Sequence, residues 1–156
     1  MKHKQQSGFT LIELVVVIVI LGILAATAIP RFIGISADAR LASANGLYGA
    51  VQAAASIAHA QALVKNQNGA TGSIVMEGVT VNLVNGYPTT ATGASPLGGI
   101  DAALATMSGF TYDGTTGKFS QTSAATAASC GLTYAQPAAL NGAPTITLTA
   151  TAAGCV

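Results

Sequence analysis

The chain has 156 residues, enough for one modest domain with an appendage, and it is 51% hydrophobic, 7% charged and +1 in formal net charge. Soluble domains average about 25% charged residues, so this chain is predicted to present a weakly charged surface rich in small residues. The near-neutral charge and the lack of a basic cluster in the body of the chain exclude the electrostatic footprint of nucleic-acid binding.

The N-terminal segment begins with a basic and polar stretch, MKHKQQSG, and continues with an apolar stretch from Phe9 to Ile29. The apolar stretch has 21 residues and one charged side chain, Glu13. As a helix it would be about 30 Å long, the thickness of a bilayer hydrocarbon core. Lys2 and Lys4 predict that the N-terminus stays in the cytoplasm and that the body of the chain faces outward.

Simple targeting functions do not account for the lone carboxylate in this segment. A plain signal anchor fits the length, and Ala26-Thr27-Ala28 supplies the small-residue pattern of a secretory cleavage site. A lipoprotein signal would need a nearby cysteine, which the sequence lacks. A carboxylate costs about 2.5–3.5 kcal/mol at the bilayer centre and less near its edge, so none of these functions benefits from Glu13.

The stretch GFTLIEL resembles the processing site of the type IV pilins and the related pseudopilins. The resemblance extends over the basic leader, Gly8, Phe9, Glu13, the apolar run and Pro30. It implies that a prepilin peptidase cleaves between Gly8 and Phe9 on the cytoplasmic side and then methylates the new amino group of Phe9.

The resemblance also implies a division of the chain and a partner for the carboxylate. Residues 1–8 would be a leader that is removed, residues 9–30 a membrane anchor that later forms the filament core, and residues 31–156 a globular head. A buried carboxylate is tolerated when it is paired. Glu13 would therefore meet the Phe9 ammonium of a neighbouring subunit, and near its own helix N-terminus it would also be favoured by the helix dipole.

Seven residues are predicted to take part in subunit assembly. They belong to the apolar segment: Phe9, Glu13, Leu14, Ile18, Leu21, Gly22 and Pro30.

The stretch from Gly22 to Pro30 is predicted to be extensible. Pro30 has no N–H to donate to the carbonyl of Ala26, and glycine lowers helix propensity by about 1 kcal/mol relative to alanine. The resemblance implies that residues 22–30 unwind in an assembled filament. A gentle bend without unwinding is the alternative.

Helical periodicity continues from Arg31 to about Val64, so the sequence predicts one helix of over fifty residues. Its second half carries an apolar stripe that needs a sheet to cover it, and the polar stretch 66–69 is predicted to end it. The stripe recurs at intervals of three and four residues: Leu41, Ala44, Leu47, Val51, Ala55, Ala58 and Ala62.

Strand-like patterns follow the helix and predict an α+β fold in which a mostly antiparallel sheet packs on it. Turn or loop signals are found at residues 85–88 and 113–117 and around Asn141-Gly142, and a short helix is predicted from Ile100 to Met107. The predicted strands are residues 73–76, 79–84, 110–112, 118–120, 132–134 and 145–149.

The two cysteines, Cys130 and Cys155, are predicted to form a disulfide. No histidine or cysteine lies beside either one at metal-ligand spacing, and an export segment implies an oxidising compartment. Closing this loop would stabilise the fold by roughly 3–4 kcal/mol, and two buried thiols are the alternative. In the pilins, the disulfide-bounded region is an exposed and variable surface.

No pattern in the sequence indicates an enzyme, a cofactor or a metal. His59 stands alone on the helix, and Glu77, Asp101 and Asp113 are too far apart in sequence to form a recognisable acid–base pair. Asp113-Gly114 is too short a signal for calcium. The stretch 120–129, rich in Ser, Thr and Ala, is interpreted as a polar loop rather than a site for O-linked sugar.

A narrower resemblance is to the mannose-sensitive haemagglutinin pilins, a type IVa branch. It rests on VVVIVILGILAATAIPRF followed by DAR, on the stretch Val-Asn-Gly-Tyr-Pro and on a 24-residue insert between the cysteines. It implies a surface filament used for attachment to host or abiotic surfaces and for biofilm formation.

The predicted function is the major subunit of a type IV pilus, held in the bacterial inner membrane as a precursor and then exported as an extracellular filament. The implied partners are copies of itself, the prepilin peptidase, an inner-membrane assembly platform and minor pilins. One alternative is a pseudopilin of a type II secretion system. Another, of a different class, is a secreted carbohydrate-binding module released after Ala28.

Overall fold

The structure is a computed structural model that describes residues 9–90 and 98–156. The chain divides into two compact units, one ending at Ser36 and the other spanning Ala37–Val156. Gly8, the residue before the predicted cleavage, lies outside the described residues. The architecture is α+β, as predicted: a long N-terminal helix and antiparallel sheets with a C-terminal disulfide.

Helix α1 spans Leu11–Val64, 54 residues, which confirms the predicted helix of over fifty residues. Its end is a Schellman motif, in which Asn66 takes a left-handed conformation with φ of 54°. The N–H of Gln67 donates to the carbonyl of Ala62 at 2.7 Å, and the N–H of Asn66 donates to that of Leu63 at 3.2 Å. The polar stretch after Val64 thus ends the helix, as the sequence predicts.

The predicted apolar stripe of α1 is buried along the head unit. The part of the stripe from Leu47 to Ala55 packs in a core with Phe119, Leu132 and Tyr134. The part from Ala58 to Ala62 packs with Ile74 and Val81. The alanines of the stripe let the strands approach the helix closely, so little apolar surface of the stripe remains exposed. The buried residues of the stripe are Ala44, Leu47, Val51, Ala55, Ala58 and Ala62.

The first sheet has three antiparallel strands: β1 (Thr71–Met76), β2 (Val79–Val84) and β3 (Tyr87–Pro88). Both of its turns have two residues, Glu77-Gly78 and Asn85-Gly86, and all four residues have positive φ. The sequence predicts a turn or loop over residues 85–88. The turn is confined to Asn85-Gly86, because such two-residue turns match the twist of paired strands and let Tyr87–Pro88 pair with β2.

The second sheet has four antiparallel strands in sequence order: β4 (Phe110–Asp113), β5 (Lys118–Gln121), β6 (Gly131–Ala135) and β7 (Thr145–Leu148). A short 3-10 helix, Ala127–Ser129, lies between β5 and β6. The sequence predicts one sheet, whereas the chain forms two.

A buried hydrogen bond connects the two sheets. The Tyr134 hydroxyl on β6 donates to the Pro88 carbonyl on β3 at 2.7 Å. Burial, with a smaller contribution from Tyr112 and Tyr87, raises the pKa of the Tyr134 phenol well above its ordinary value.

The predicted short helix from Ile100 to Met107 is wrong. Residues 100–104 form turns in which the N–H groups of Ala103 and Leu104 donate to carbonyls three residues earlier. The Asp101 carboxylate accepts a hydrogen bond from the Gly99 N–H at 3.2 Å, and Ile100 is fully buried. A short isolated helical stretch is marginal, so local side-chain bonding and burial determine the conformation here.

The predicted disulfide between Cys130 and Cys155 is present, with the two Cα atoms 4.8 Å apart. Both cysteines are fully buried and contact Ala44 of α1. Arg40 Nη1 donates to the Cys155 carbonyl at 2.9 Å. The disulfide and this hydrogen bond together hold the C-terminal segment against the helix.

Candidate assembly site

A capping box forms the N-terminal end of α1. Thr10 is the residue before the helix, and its hydroxyl oxygen accepts a hydrogen bond from the Glu13 N–H at 3.4 Å. Glu13 Oε2 accepts hydrogen bonds from the Thr10 N–H at 2.9 Å and from the Thr10 hydroxyl at 2.7 Å. Each residue thus satisfies a backbone donor of the other that the helix itself leaves unpaired.

The capping box leaves the Glu13 carboxylate accessible. Its second oxygen, Oε1, has no hydrogen-bond partner among the described residues, and the side chain is exposed. Phe9, the residue predicted to carry the new amino group, is 87% exposed and immediately precedes Thr10. The helix N-terminus therefore presents one carboxylate oxygen that can accept a charge-assisted hydrogen bond from a cationic group.

The first part of α1 is apolar on all sides and exposed on all sides. The large apolar residues from Leu11 to Leu24 have exposed fractions between 42% and 81%, and those predicted for assembly, Leu14, Ile18 and Leu21, are 57–59% exposed. A helix that is apolar all round requires lipid or other helices as its surroundings. Its most apolar 18-residue window has a mean hydropathy of 2.9, which suits a membrane span by length and composition, although a signal sequence meets the same criterion.

Gly22 and Pro30 both lie within α1, which is continuous through them. A Cβ atom added at Gly22 would meet nothing within 4 Å, so the glycine is not required by packing within the described chain. The predicted unwinding concerns the assembled filament and stays a prediction.

The head contains few chemically reactive groups. His59 stacks on Tyr87 with ring centroids 4.0 Å apart, and its Nδ1 lies 2.8 Å from the Gly86 carbonyl oxygen. Asp113 accepts hydrogen bonds from the Thr116 hydroxyl at 2.6 Å and the Thr115 N–H at 2.9 Å, which lower the pKa of its carboxyl group. Residues 9–90 and 98–156 contain no group of three His, Cys, Asp or Glu side chains placed to hold a metal ion.

The role of Thr10 is not among the sequence predictions. The signal was present, because a threonine followed three residues later by a glutamate before an apolar run is the pattern of a capping box. The sequence predictions for Glu13 rest on its charge, whereas the capping box depends on the hydrogen bonds between its side chain and Thr10.

The N-terminal region matches known proteins. Residues 3–29 match the family described as "Prokaryotic N-terminal methylation motif". Over 55 residues, 35% of this chain and 47% of the relative, the sequence is 51% identical to "Type IV narrow pilus major component PilA5" of Thermus thermophilus. These matches make part of the chain similar to type IV pilus proteins. The family match at residues 3–29 includes the capping box and the first part of α1.

The chain is also similar, over part of its length, to secretion proteins. It is 50% identical over 54 residues to "Type II secretion system core protein G" of Pseudomonas aeruginosa, and 59% identical over 34 residues to the protein of that name from Aeromonas hydrophila. These matches cover 35% and 22% of this chain and 38% and 24% of the relatives. The chain therefore spans less than half the length of the relatives it matches. No solved structure matches it significantly.

Proposed function

We propose that this chain is the structural subunit of a type IV pilus, made as an inner-membrane precursor and assembled through its N-terminal helix into a surface filament. The observation that supports the proposal most directly is the exposed apolar helix with one carboxylate in its first turn. Lipid can cover this helix before assembly, and neighbouring helices can cover it afterwards.

The proposed assembly contact pairs Glu13 of one subunit with the Phe9 amino group of the next. Cleavage after Gly8 leaves four Lys and Arg residues against five Asp and Glu, because Lys2 and Lys4 are lost from the six basic residues. The new ammonium group then supplies a cation beside the apolar core. Glu13 Oε1 is the atom that accepts it, while Oε2 stays bonded to Thr10.

Glu13→Gln tests the contact, with Thr10→Val as the comparison. Glutamine keeps the size of the side chain but removes its charge, so we expect cleaved subunits in the membrane and few or no surface filaments. Thr10→Val removes the hydroxyl but leaves the carboxylate, so filaments should still form. Normal filaments from the Glu13→Gln subunit would refute the proposed pairing.

A second candidate function, a pseudopilin of a type II secretion system, is supported by the similarity to the core protein G sequences. Deletion of the gene separates the two functions. Loss of surface filaments with normal protein secretion would favour the pilus. Loss of secreted enzymes with unchanged filaments would favour the secretion system.

The predictions of processing, assembly partners and surface attachment belong to the same proposal. Processing by a prepilin peptidase, assembly on an inner-membrane platform with minor pilins, and attachment to host or abiotic surfaces are all proposed for this chain. So is membership of the mannose-sensitive haemagglutinin branch. The other alternative, a secreted carbohydrate-binding module, predicts a monomer that begins at Ile29.

A further inference from the structure

The turn between β1 and β2 contains a residue that its backbone does not favour. Glu77 and Gly78 have φ of 49° and 84°, the left-handed conformation at both positions of a two-residue turn. Asparagine is the preferred residue at the first position, and the equivalent turn of the same sheet has Asn85-Gly86.

Among the described residues with positive φ, Glu77 is the one that is neither glycine nor asparagine. Four non-glycine residues there have positive φ, and the other three are asparagines. Glutamate is not among the residues enriched at positive φ, which are asparagine, aspartate and histidine, and backbone strain is concentrated where a side chain has a function. The Glu77 carboxylate is exposed and has no ion pair or hydrogen bond within residues 9–90 and 98–156.

An apolar groove lies directly beside this carboxylate. It has a volume of about 500 Å³ and runs between α1, the tip of the β1–β2 hairpin and the segment from Ala102 to Ala105. Ile57 on the helix is 58% exposed and Val79 on the hairpin is 45% exposed, so apolar surface is left open to solvent. Among the described residues, Glu77 is the one charged residue that lines the groove.

Side chains that complement the apolar groove and its carboxylate are found at the C-terminal end of α1. Leu63 is 49% exposed, Val64 is 84% exposed, and the next residue is the exposed Lys65. The Lys65 ammonium has no polar partner in the described parts of the chain. Two apolar side chains followed by a cation thus match an apolar groove that ends at an anion.

The two surfaces lie at different levels of the head and do not overlap. Val64, the last residue of α1, lies seven helical positions beyond Ile57, a rise of about 10 Å. Contact between two such different surfaces on identical chains is head-to-tail, and repetition of that contact gives an open filament rather than a closed dimer.

We propose that the end of α1 in one subunit, residues 63–65, docks into the groove of a second copy, where Lys65 pairs with Glu77. This inference rests on the proposed function, because it describes a head contact within the filament. It differs from the Glu13 contact, which concerns the apolar helices, and it gives Glu77 a reason to replace the favoured asparagine.

Engineered disulfides test the contact in filaments of the full chain. Val64→Cys and Val79→Cys lie on the two proposed surfaces and leave both charges in place. Oxidation of sheared filaments that contain both substitutions should give a ladder of covalent multimers, because cysteines can join when their Cα atoms are within about 7 Å. Val64→Cys combined with Thr111→Cys, an exposed position on the second sheet, should give no ladder.

Charge reversal provides the second measurement. Lys65→Glu and Glu77→Lys should each lower the yield of sheared filament by roughly 1.4- to fivefold, the range for an exposed ion pair, and their combination should restore it. Asp38→Lys reverses another exposed acid, one with no hydrogen bond within residues 9–90 and 98–156, and should have no effect. Intact filaments without a ladder, or a combination that is no better than its single substitutions, would overturn the docking contact but leave the filament function standing. A wild-type strain without filaments of this chain would instead overturn the proposed function.

Discussion

Removal of a single buried hydroxyl tests how the two sheets of the head are held together. Tyr134→Phe deletes the donor to the Pro88 carbonyl, a buried bond of 2.7 Å, and leaves that carbonyl without its partner. We expect a loss of about 1–2 kcal/mol in the free energy of unfolding. That loss corresponds to a Tm lower by roughly 4–8 °C for a unit of this size.

The matched control is Tyr48→Phe, the same chemical change at a partly exposed residue. The Tyr48 hydroxyl accepts a hydrogen bond from Gln52 at 3.2 Å on the helix surface. Its removal should change the free energy of unfolding by no more than about 0.5 kcal/mol. Both variants are measured as full-length chains in detergent, by circular dichroism during thermal and guanidinium unfolding.

The pH dependence of the same variant gives an independent check. Burial raises the pKa of the Tyr134 phenol in the folded chain, while the unfolded value is about 10. The stability that the neutral Tyr134 phenol contributes is therefore complete below pH 10. It is lost as the pH rises from there toward the folded pKa, by about 1.4 kcal/mol per pH unit. The difference in the free energy of unfolding between the wild type and Tyr134→Phe should therefore shrink above pH 10. An equally stable variant at pH 7, or a constant difference up to pH 11.5, would refute this account.

Three further predictions concern the head. Replacement of Cys130 and Cys155 by alanine should lower the free energy of unfolding by roughly 3–4 kcal/mol, measured by guanidinium unfolding against the oxidised wild type, whose cysteines are 25 residues apart. Gly117→Ala should destabilise the head strongly in thermal melts, because φ is +70° and a Cβ atom would clash with the Tyr134 carbonyl oxygen of β6. The hydrogen bonds from Thr116 and Thr115 lower the pKa of the Asp113 carboxyl group in the folded chain, so their contribution to stability is lost as the pH falls and the group is protonated. The Tm of Asp113→Asn should therefore fall less than the Tm of the wild type below about pH 4.

Local patterns predicted most of the secondary structure. The stripe on the second half of α1 has a clear helical period, and alternation in Val79–Val84 identifies β2. These predictions succeeded because each depends on the period of the residues within one element. The disulfide was also predictable, since the chain has two cysteines and an export segment.

The errors arose where distant residues decide the structure. The assignment of strands to two sheets depends on contacts such as Tyr134 with Pro88, 46 residues apart, which no local pattern reveals. The segment from Ile100 forms turns because Ile100 is buried in the core and Asp101 bonds to the backbone beside it. In the same way, the strained Glu77 is visible only in its backbone angles, because its sequence neighbours form an ordinary hairpin pattern.

The central claim is that processing creates a cation for Glu13 beside the apolar helix. Its most direct test is the intact mass of the chain in sheared surface material, with mapping of its N-terminal peptide. We predict a chain that starts at N-methylated Phe9, 8 residues shorter than the 156-residue precursor, with both cysteines oxidised. A chain that starts at Ile29 would show ordinary secretion, and it would contradict the filament core, because it would lack both Phe9 and Glu13.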